Sequence, residues 1–415
     1  MDKMADVLGR AGAWCGQNKY LSAIKNAFQN FMPLTIAGAI GVLWCNVLVN
    51  DQTGLGLFFK PIMALDFLNP AFQAVNFCTI SCITVGITLG IAQEIGVWNM
   101  GAERAGYIPG LVGLAAWLSV TNTSHMVDGA KEAFTGIAGN ELGATGLFTG
   151  MIIGVLSVEL FCFFEKQDAL KIKMPEQVPP GVARAFEVLV PATITLIITA
   201  CIGSACYNLT GLYLNDVIKN GVQGPLGAVG ATVPGVMIIY LVIMLFWLVG
   251  IHGNNMLSAV KEALFTPLAL ENVEAFNKGE TPKNIINMYA LQMWGEFGGS
   301  GVTIGLVIAI MIFGKREDNK AIATLSLVPG LFNINETVTF GIPMVLNPIL
   351  GIPFVVAPLV TIIIGYVLTV IGFCPVACLT VPWTTPPIVF GFLATGANVM
   401  GAVTQAILIV VSTVI

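Results

Sequence analysis

Two side chains in this sequence could share a proton. Glu336 lies in Pro-Gly-Leu-Phe-Asn-Ile-Asn-Glu-Thr-Val-Thr-Phe-Gly-Ile-Pro at 329–343, and His252 lies in Trp-Leu-Val-Gly-Ile-His-Gly-Asn-Asn at 247–255. Both sit in strongly apolar surroundings. An ionisable group at membrane depth is costly unless it is paired or faces water, so a carboxylate there marks a functional site by default. An imidazole facing a carboxylate can hold a hydroxyl between them and take up its proton. Taken alone, His252 is equally well a satisfied structural histidine. The other histidine, His125, follows Thr-Asn-Thr-Ser at 121–124 and reads as a solvated residue of an outer loop.

Trp247 and Trp383, the latter in Val-Pro-Trp-Thr-Thr-Pro-Pro at 381–387, offer flat apolar surfaces on which sugar rings stack. They are equally residues of the kind that anchor a chain at the membrane boundary. The nine cysteines include Cys78/Cys82, Cys201/Cys206 and Cys374/Cys378 in apolar runs. They lack C-x-x-C spacing and histidine partners, so they read as packing residues and no metal site is expected. Without a G-x-x-x-x-G-K-[ST] loop or a dinucleotide fingerprint, the chain holds no nucleotide by those routes, and no cofactor is expected. The formal charge of −5 comes with no basic cluster, so no nucleic-acid partner is expected.

The elements that must position these residues are membrane spans. The 415 residues are 56% hydrophobic and 10% charged, where a soluble protein carries about 25% charged residues. Apolar stretches near spanning length occur at 28–49, 72–91, 107–120, 146–164, 188–206, 233–251, 302–313, 352–373 and from Val389 to the end. This predicts an all-α polytopic membrane protein in the lipid bilayer, with about ten transmembrane helices. Residues 1–25 are mixed polar and read as holding no cleavable leader. Lys3, Arg10, Lys19 and Lys25 there keep the N-terminus in the cytoplasm. Of the 18 Lys and Arg residues, Lys60, Lys131 and Lys219 then fall outside. The Gly- and Pro-rich stretch at 223–234 marks a boundary, giving domains 1–222 and 223–415. In the second domain, residues 253–301 carry Lys261, Glu262 and Glu296 among other charges, yet must return the chain across the membrane. A polar excursion followed by a re-entrant hairpin ending at Gly-Glu-Phe-Gly-Gly-Ser-Gly reconciles this. The Glu336 stretch, broken by Pro and Gly, is the second such hairpin. Two discontinuous segments facing each other are a usual way to build a transporter's substrate site.

Gly-Ile-His-Gly at 250–253, Asn-Ile-Asn-Glu at 333–336 and Pro-Trp-Thr at 382–384 together resemble the membrane IIC component of the bacterial phosphoenolpyruvate-dependent sugar phosphotransferase system. Within it the chain resembles the lactose, cellobiose and diacetylchitobiose family. Further matches are Ala-Ile-Lys-Asn-Ala-Phe from Ala23, Met-Pro-Leu-Thr-Ile-Ala-Gly from Met32 and Pro-Leu-Ala-Leu-Glu-Asn from Pro267. The resemblance implies a homodimer in the bacterial cytoplasmic (inner) membrane, with a dimerisation half at 1–222 and a sugar-binding half at 223–415. It implies that Glu336 and His252 lie near the sugar 6-hydroxyl as the catalytic pair. Asn335, Asn140 and Asn254 would bond other hydroxyls, and Trp247 and Trp383 would contact the rings. The phosphoryl-carrying IIB and IIA subunits are expected as separate chains. The expected substrate is a β-linked disaccharide, with diacetylchitobiose or cellobiose ahead of lactose. Two other readings stay open: a proton-coupled secondary disaccharide transporter with Glu336 and His252 as proton relay, and a sensor that binds sugar without turnover.

Overall fold

The computed structural model describes residues 2–51, 55–125, 134–175, 177–342, 344 and 347–415. Lys131, expected in an outer loop, lies outside them. The chain is mostly helical. Among the described residues the strands form one hairpin, in which Ser124–His125 pairs antiparallel with Phe134–Thr135. Among the described residues four helices are long and apolar enough to cross a membrane: Lys19–Leu48, Ala144–Glu165, Pro180–Thr210 and Ile349–Val370. Lys60–Ser81 and Ile83–Met100, taken as one interrupted span, add a fifth. Shorter apolar helices occupy Ile108–Val120, Val233–Leu248, Ile304–Phe313 and Val399–Val414.

Helix starts follow from local chemistry. Pro109, Pro180 and Pro234 sit in first turns, where the missing N–H costs nothing. Thr232 and Asn398 accept from the backbone N–H groups of Gly235 and Met400 and cap the helices they precede. The expected continuous span from Val389 is instead two helices, Val389–Ala394 and Val399–Val414. Between them Gly396 and Ala397 adopt φ of 76° and 57°, which ends the first helix before Asn398 starts the second.

The chain forms two compact units. One comprises Asn18–Leu34 and Thr79–Leu226. In it the helices Ile83–Met100, Ile108–Val120, Ala144–Glu165 and Pro180–Thr210 pack on one another around Ala116, Trp117, Val120 and Ile153. Small residues bring the backbones close: a Cβ added at Gly113 would lie 2.3 Å from that of Ala92. Glu165, with its side chain 3% exposed, accepts from Arg104 and Arg184 at 2.9 Å each, and both arginines also bond Glu187. The Arg104 and Arg184 guanidinium groups thus satisfy a carboxylate that would otherwise be buried alone.

The other unit comprises Met1–Gln17, Thr35–Cys78 and Gly227–Ile415. The helix Asp2–Gln17 packs on Val233–Leu248 and on the short helix Gly253–Met256. The helix Pro348–Val370 contacts Val233–Leu248, Met288–Gly295 and Val399–Val414. Trp247, Ile243, Met244, Met344 and Phe354 form one core, and Val307, Ala323, Val338 and Ile342 form another.

Residues 374–388 of this unit are almost entirely irregular, and irregular backbone in a membrane protein must be satisfied by the protein itself. Asn272 and Asn287 both donate to the Ala377 carbonyl, at 3.0 and 3.1 Å. The Tyr289 hydroxyl meets that of Thr380 at 2.7 Å. Gln405, buried in the last helix, accepts from Ile388 N–H at 2.7 Å and Gly391 N–H at 2.8 Å. Four polar side chains on three other segments therefore hold the stretch that carries Trp383.

Candidate functional site

The site is built on the break after the helix Val233–Leu248. Gly250 turns the chain at φ 80°. Gly253 then passes so close to that helix that a Cβ on it would lie 2.0 Å from the Ile243 carbonyl oxygen. This close approach fixes His252 against Trp247, with ring centroids 4.4 Å apart and planes at 48°. His252 Nδ1 accepts from Asn255 N–H at 3.2 Å. In the neutral ring the proton is therefore on Nε2.

The second segment begins where the helix Glu317–Leu331, which carries Pro329 and Gly330 in its last turn, ends. Asn333 follows at φ 61°, and Glu336 opens the short helix Glu336–Gly341. The Glu336 carboxylate lies 3.8 Å from His252 Nε2, with side chains 50% and 35% exposed. The gap exceeds a hydrogen bond. A hydroxyl oxygen at about 2.8 Å from each group would fill it, accepting from Nε2–H and donating to the carboxylate.

Ser300 joins the two segments. Asn254 Nδ2 donates to its hydroxyl at 2.8 Å, and Asn335 Nδ2 donates to its carbonyl at 2.7 Å. It sits in a turn where Gly298, Gly299, Gly301 and Val302 have φ of 72°, 92°, 82° and 48°. At Gly299 a Cβ would also lie 2.7 Å from the Asn335 Cβ, so glycine is required there for both reasons. Behind Asn254 lies a buried ion pair, Lys261 with Glu296, whose side chains are 7% and 17% exposed. The Tyr240 hydroxyl donates to Glu296 at 2.6 Å, and Lys261 reaches Asn254 Oδ1 at 3.5 Å.

The structure thus brings His252, Glu336, Asn254 and Asn335 together. Asn335 is buried and its Nδ2 is committed to Ser300. Trp247 lies beneath His252 and is 1% exposed, whereas Trp383 is 43% exposed. The Asn140 side chain lies outside the described residues. His125 pairs through Nε2 with the Asn122 carbonyl at 3.2 Å and belongs to the small hairpin. Sequence reasoning passed over Tyr240, Ser300 and Asn333 as site residues, and met Lys261 and Glu296 only as charges complicating the topology. The signal for these two was opposite charge, which the several other charges of residues 253–301 obscured.

The fold and this arrangement define a polytopic helical membrane protein with a small polar site between interrupted helices. The family described as Phosphotransferase system, EIIC matches residues 25–358, and the chain belongs to that family. It is 32% identical to the PTS system oligo-beta-mannoside-specific EIIC component of Bacillus subtilis (strain 168), over 98% of this chain and 90% of that protein. It is 30% identical to the PTS system cellobiose-specific EIIC component of Lactococcus lactis subsp. lactis (strain IL1403), over 99% of this chain and 95% of that one. The crystal structure of the transporter ChbC, the IIC component from the N,N'-diacetylchitobiose-specific phosphotransferase system, superposes with a TM-score of 0.88. That match covers 97% of this chain and 93% of that one, at 29% identity.

Proposed function

We propose that this chain is the sugar permease of a phosphotransferase system, taking up a β-linked disaccharide and presenting its 6-hydroxyl for phosphorylation. Diacetylchitobiose or cellobiose is the favoured substrate, then lactose. The observation that carries this reading is the His252–Glu336 pair, 3.8 Å apart and open enough to admit a hydroxyl. His252 Nε2–H holds the 6-oxygen and Glu336 takes its proton. The oxygen attacks the phosphorus of a phosphocysteine on the separate IIB subunit. The phosphorus–sulfur bond breaks and its electron pair leaves as the cysteine thiolate, which IIA recharges. Positioning is the protein's main contribution to such a transfer. Trp383 stacks on a sugar ring, Trp247 braces the imidazole, and Asn254 and Asn335 line the remaining site.

The chain works as a homodimer in the bacterial inner membrane, with its N-terminus in the cytoplasm, about ten spans and two re-entrant hairpins in the second half. The distribution of Lys and Arg supports the orientation, and the interrupted helices around Ser300 and Glu336 support the hairpins. Residues 1–222 provide dimerisation and 223–415 carry the sugar. The change of compact unit between Leu226 and Gly227 supports a seam there; Met1–Gln17 and Thr35–Cys78, which group with the sugar site, are not separated from it by that seam.

The test is formation of sugar 6-phosphate in proteoliposomes supplied with phosphorylated IIB on the cytoplasmic side and an uncoupler throughout. Labelled diacetylchitobiose, cellobiose and lactose are offered in turn. Product from one of them is expected and names the substrate. Absence of product, with uptake returning only when a proton gradient is restored, would overturn the reading in favour of proton coupling.

A further inference from the structure

Asn333 precedes the carboxylate of the site by three residues, and its side chain makes three bonds to two other segments. Its Oδ1 accepts from Gly298 N–H at 2.6 Å. Its Nδ2 donates to the Trp383 carbonyl and to the Thr385 carbonyl, the latter at 3.0 Å. The carboxamide can reach both because the backbone adopts φ 61°, a left-handed conformation that Asn tolerates better than most residues. Gly298 leads into the Ser300 turn that holds Asn254 and Asn335. Thr385 N–H donates to Pro382 O at 2.9 Å and closes the turn on which Trp383 stands. One side chain therefore ties the Glu336 segment to the Ser300 turn and to the half-exposed tryptophan.

We propose that Asn333 is a positioning residue that sets the ring of Trp383 relative to Glu336 without touching the sugar. The inference rests on the proposed function, in which Trp383 stacks on the sugar and Glu336 meets its 6-hydroxyl. With the carboxamide gone, the Trp383 and Thr385 carbonyls lose their donor. Gln405, which grips Ile388 and Gly391, still holds the far end of the stretch. The loop then stays in place at one end and loses its register at the other. The catalytic pair does not depend on these three bonds, because His252 is fixed by Trp247 and Asn255, and Glu336 follows Asn335, which Ser300 retains.

The test is a double-mutant cycle on equilibrium binding of labelled diacetylchitobiose, or of cellobiose or lactose if the wild-type chain prefers it, with phosphorylation by phospho-IIB measured in parallel. Asn333→Gly keeps the left-handed backbone and removes all three bonds. Asn333→Asp keeps the Gly298 contact and removes the two donors, and serves if the glycine variant fails to fold. Trp383→Ala removes the platform. Each single variant is expected to weaken binding about ten-fold. The double variant should bind within about two-fold of Trp383→Ala, because both changes remove one interaction. KM should rise while the rate at saturating sugar stays within about three-fold of wild type, a split that general loosening of the fold would not give. Wild-type affinity in both Asn333 variants, or additive losses in the double variant, would overturn the inference while leaving the permease reading intact. Unchanged affinity in Trp383→Ala would instead remove the stacking role from the proposed function, and this inference with it.

Discussion

Replacing Lys261 by methionine preserves much of the side-chain length and removes the cation from a nearly dry pair. Lys261 and Glu296 are 7% and 17% exposed, so little water is at hand to replace the lost partner. A contact pair of this kind interacts by about 4 kcal/mol at an effective dielectric constant near 20. Breaking a buried pair from one side costs about 3–5 kcal/mol, because the remaining charge stays buried. Lys261 also reaches Asn254, which bonds Ser300, so the loss extends into the site. Lys261→Met should lower the thermal unfolding midpoint of the purified protein by roughly 3–6 °C, because a chain of this length shifts by only about 1 °C per kcal/mol. It should also weaken sugar binding. The double variant Lys261→Met/Glu296→Met should recover all but about 1–2 kcal/mol, the remainder reflecting the Tyr240 hydroxyl left without its acceptor. Differential scanning fluorimetry on Lys261→Met, Glu296→Met and the double variant reads this directly. A single variant within about 1 kcal/mol of wild type, or a double variant as unstable as the sum of the two singles, would refute the reasoning.

Two further changes probe the frame of the site. Gly253→Ala would place a methyl group 2.0 Å from the Ile243 carbonyl oxygen, so the His252 loop must move; a loss of about 1–3 kcal/mol in stability is expected from thermal unfolding, together with weaker sugar binding, and unchanged values in both would mean the loop is not held there. His252→Ala should weaken sugar binding by more than about 1 kcal/mol, or roughly five-fold, because its partners are left unpaired; titration calorimetry giving wild-type affinity would remove His252 from the site.

The membrane class was legible because apolar runs of spanning length dominate the composition. His252 and Glu336 were legible because ionisable groups in apolar sequence are few, and those two carry Gly and Pro beside them. Spacing alone could not reveal what holds them. Glu296 and Lys261 are 35 residues apart in sequence, and their pairing depends on two helices folding back together. Left-handed backbone at Val302, Asn333 and Ala397 is likewise set by tertiary contacts, since local propensity argues against it for Val and Ala. The break at Gly396-Ala397 therefore escaped the hydropathy reading, which took residues from Val389 onward as one span. Gln405 shows the same limit. It lies in the mostly apolar helix Val399–Val414, and its purpose emerges only where it meets the Ile388 and Gly391 amides.

The central claim is that Glu336 takes the proton from the hydroxyl that becomes phosphorylated. Glu336→Gln tests it most directly, because an amide of the same shape can still hydrogen-bond a hydroxyl but is a far weaker base. In proteoliposomes with phospho-IIB, the variant is expected to retain much of the wild-type sugar affinity and to form no sugar phosphate. Sugar phosphate formed at the wild-type rate by a variant that binds normally would contradict the account.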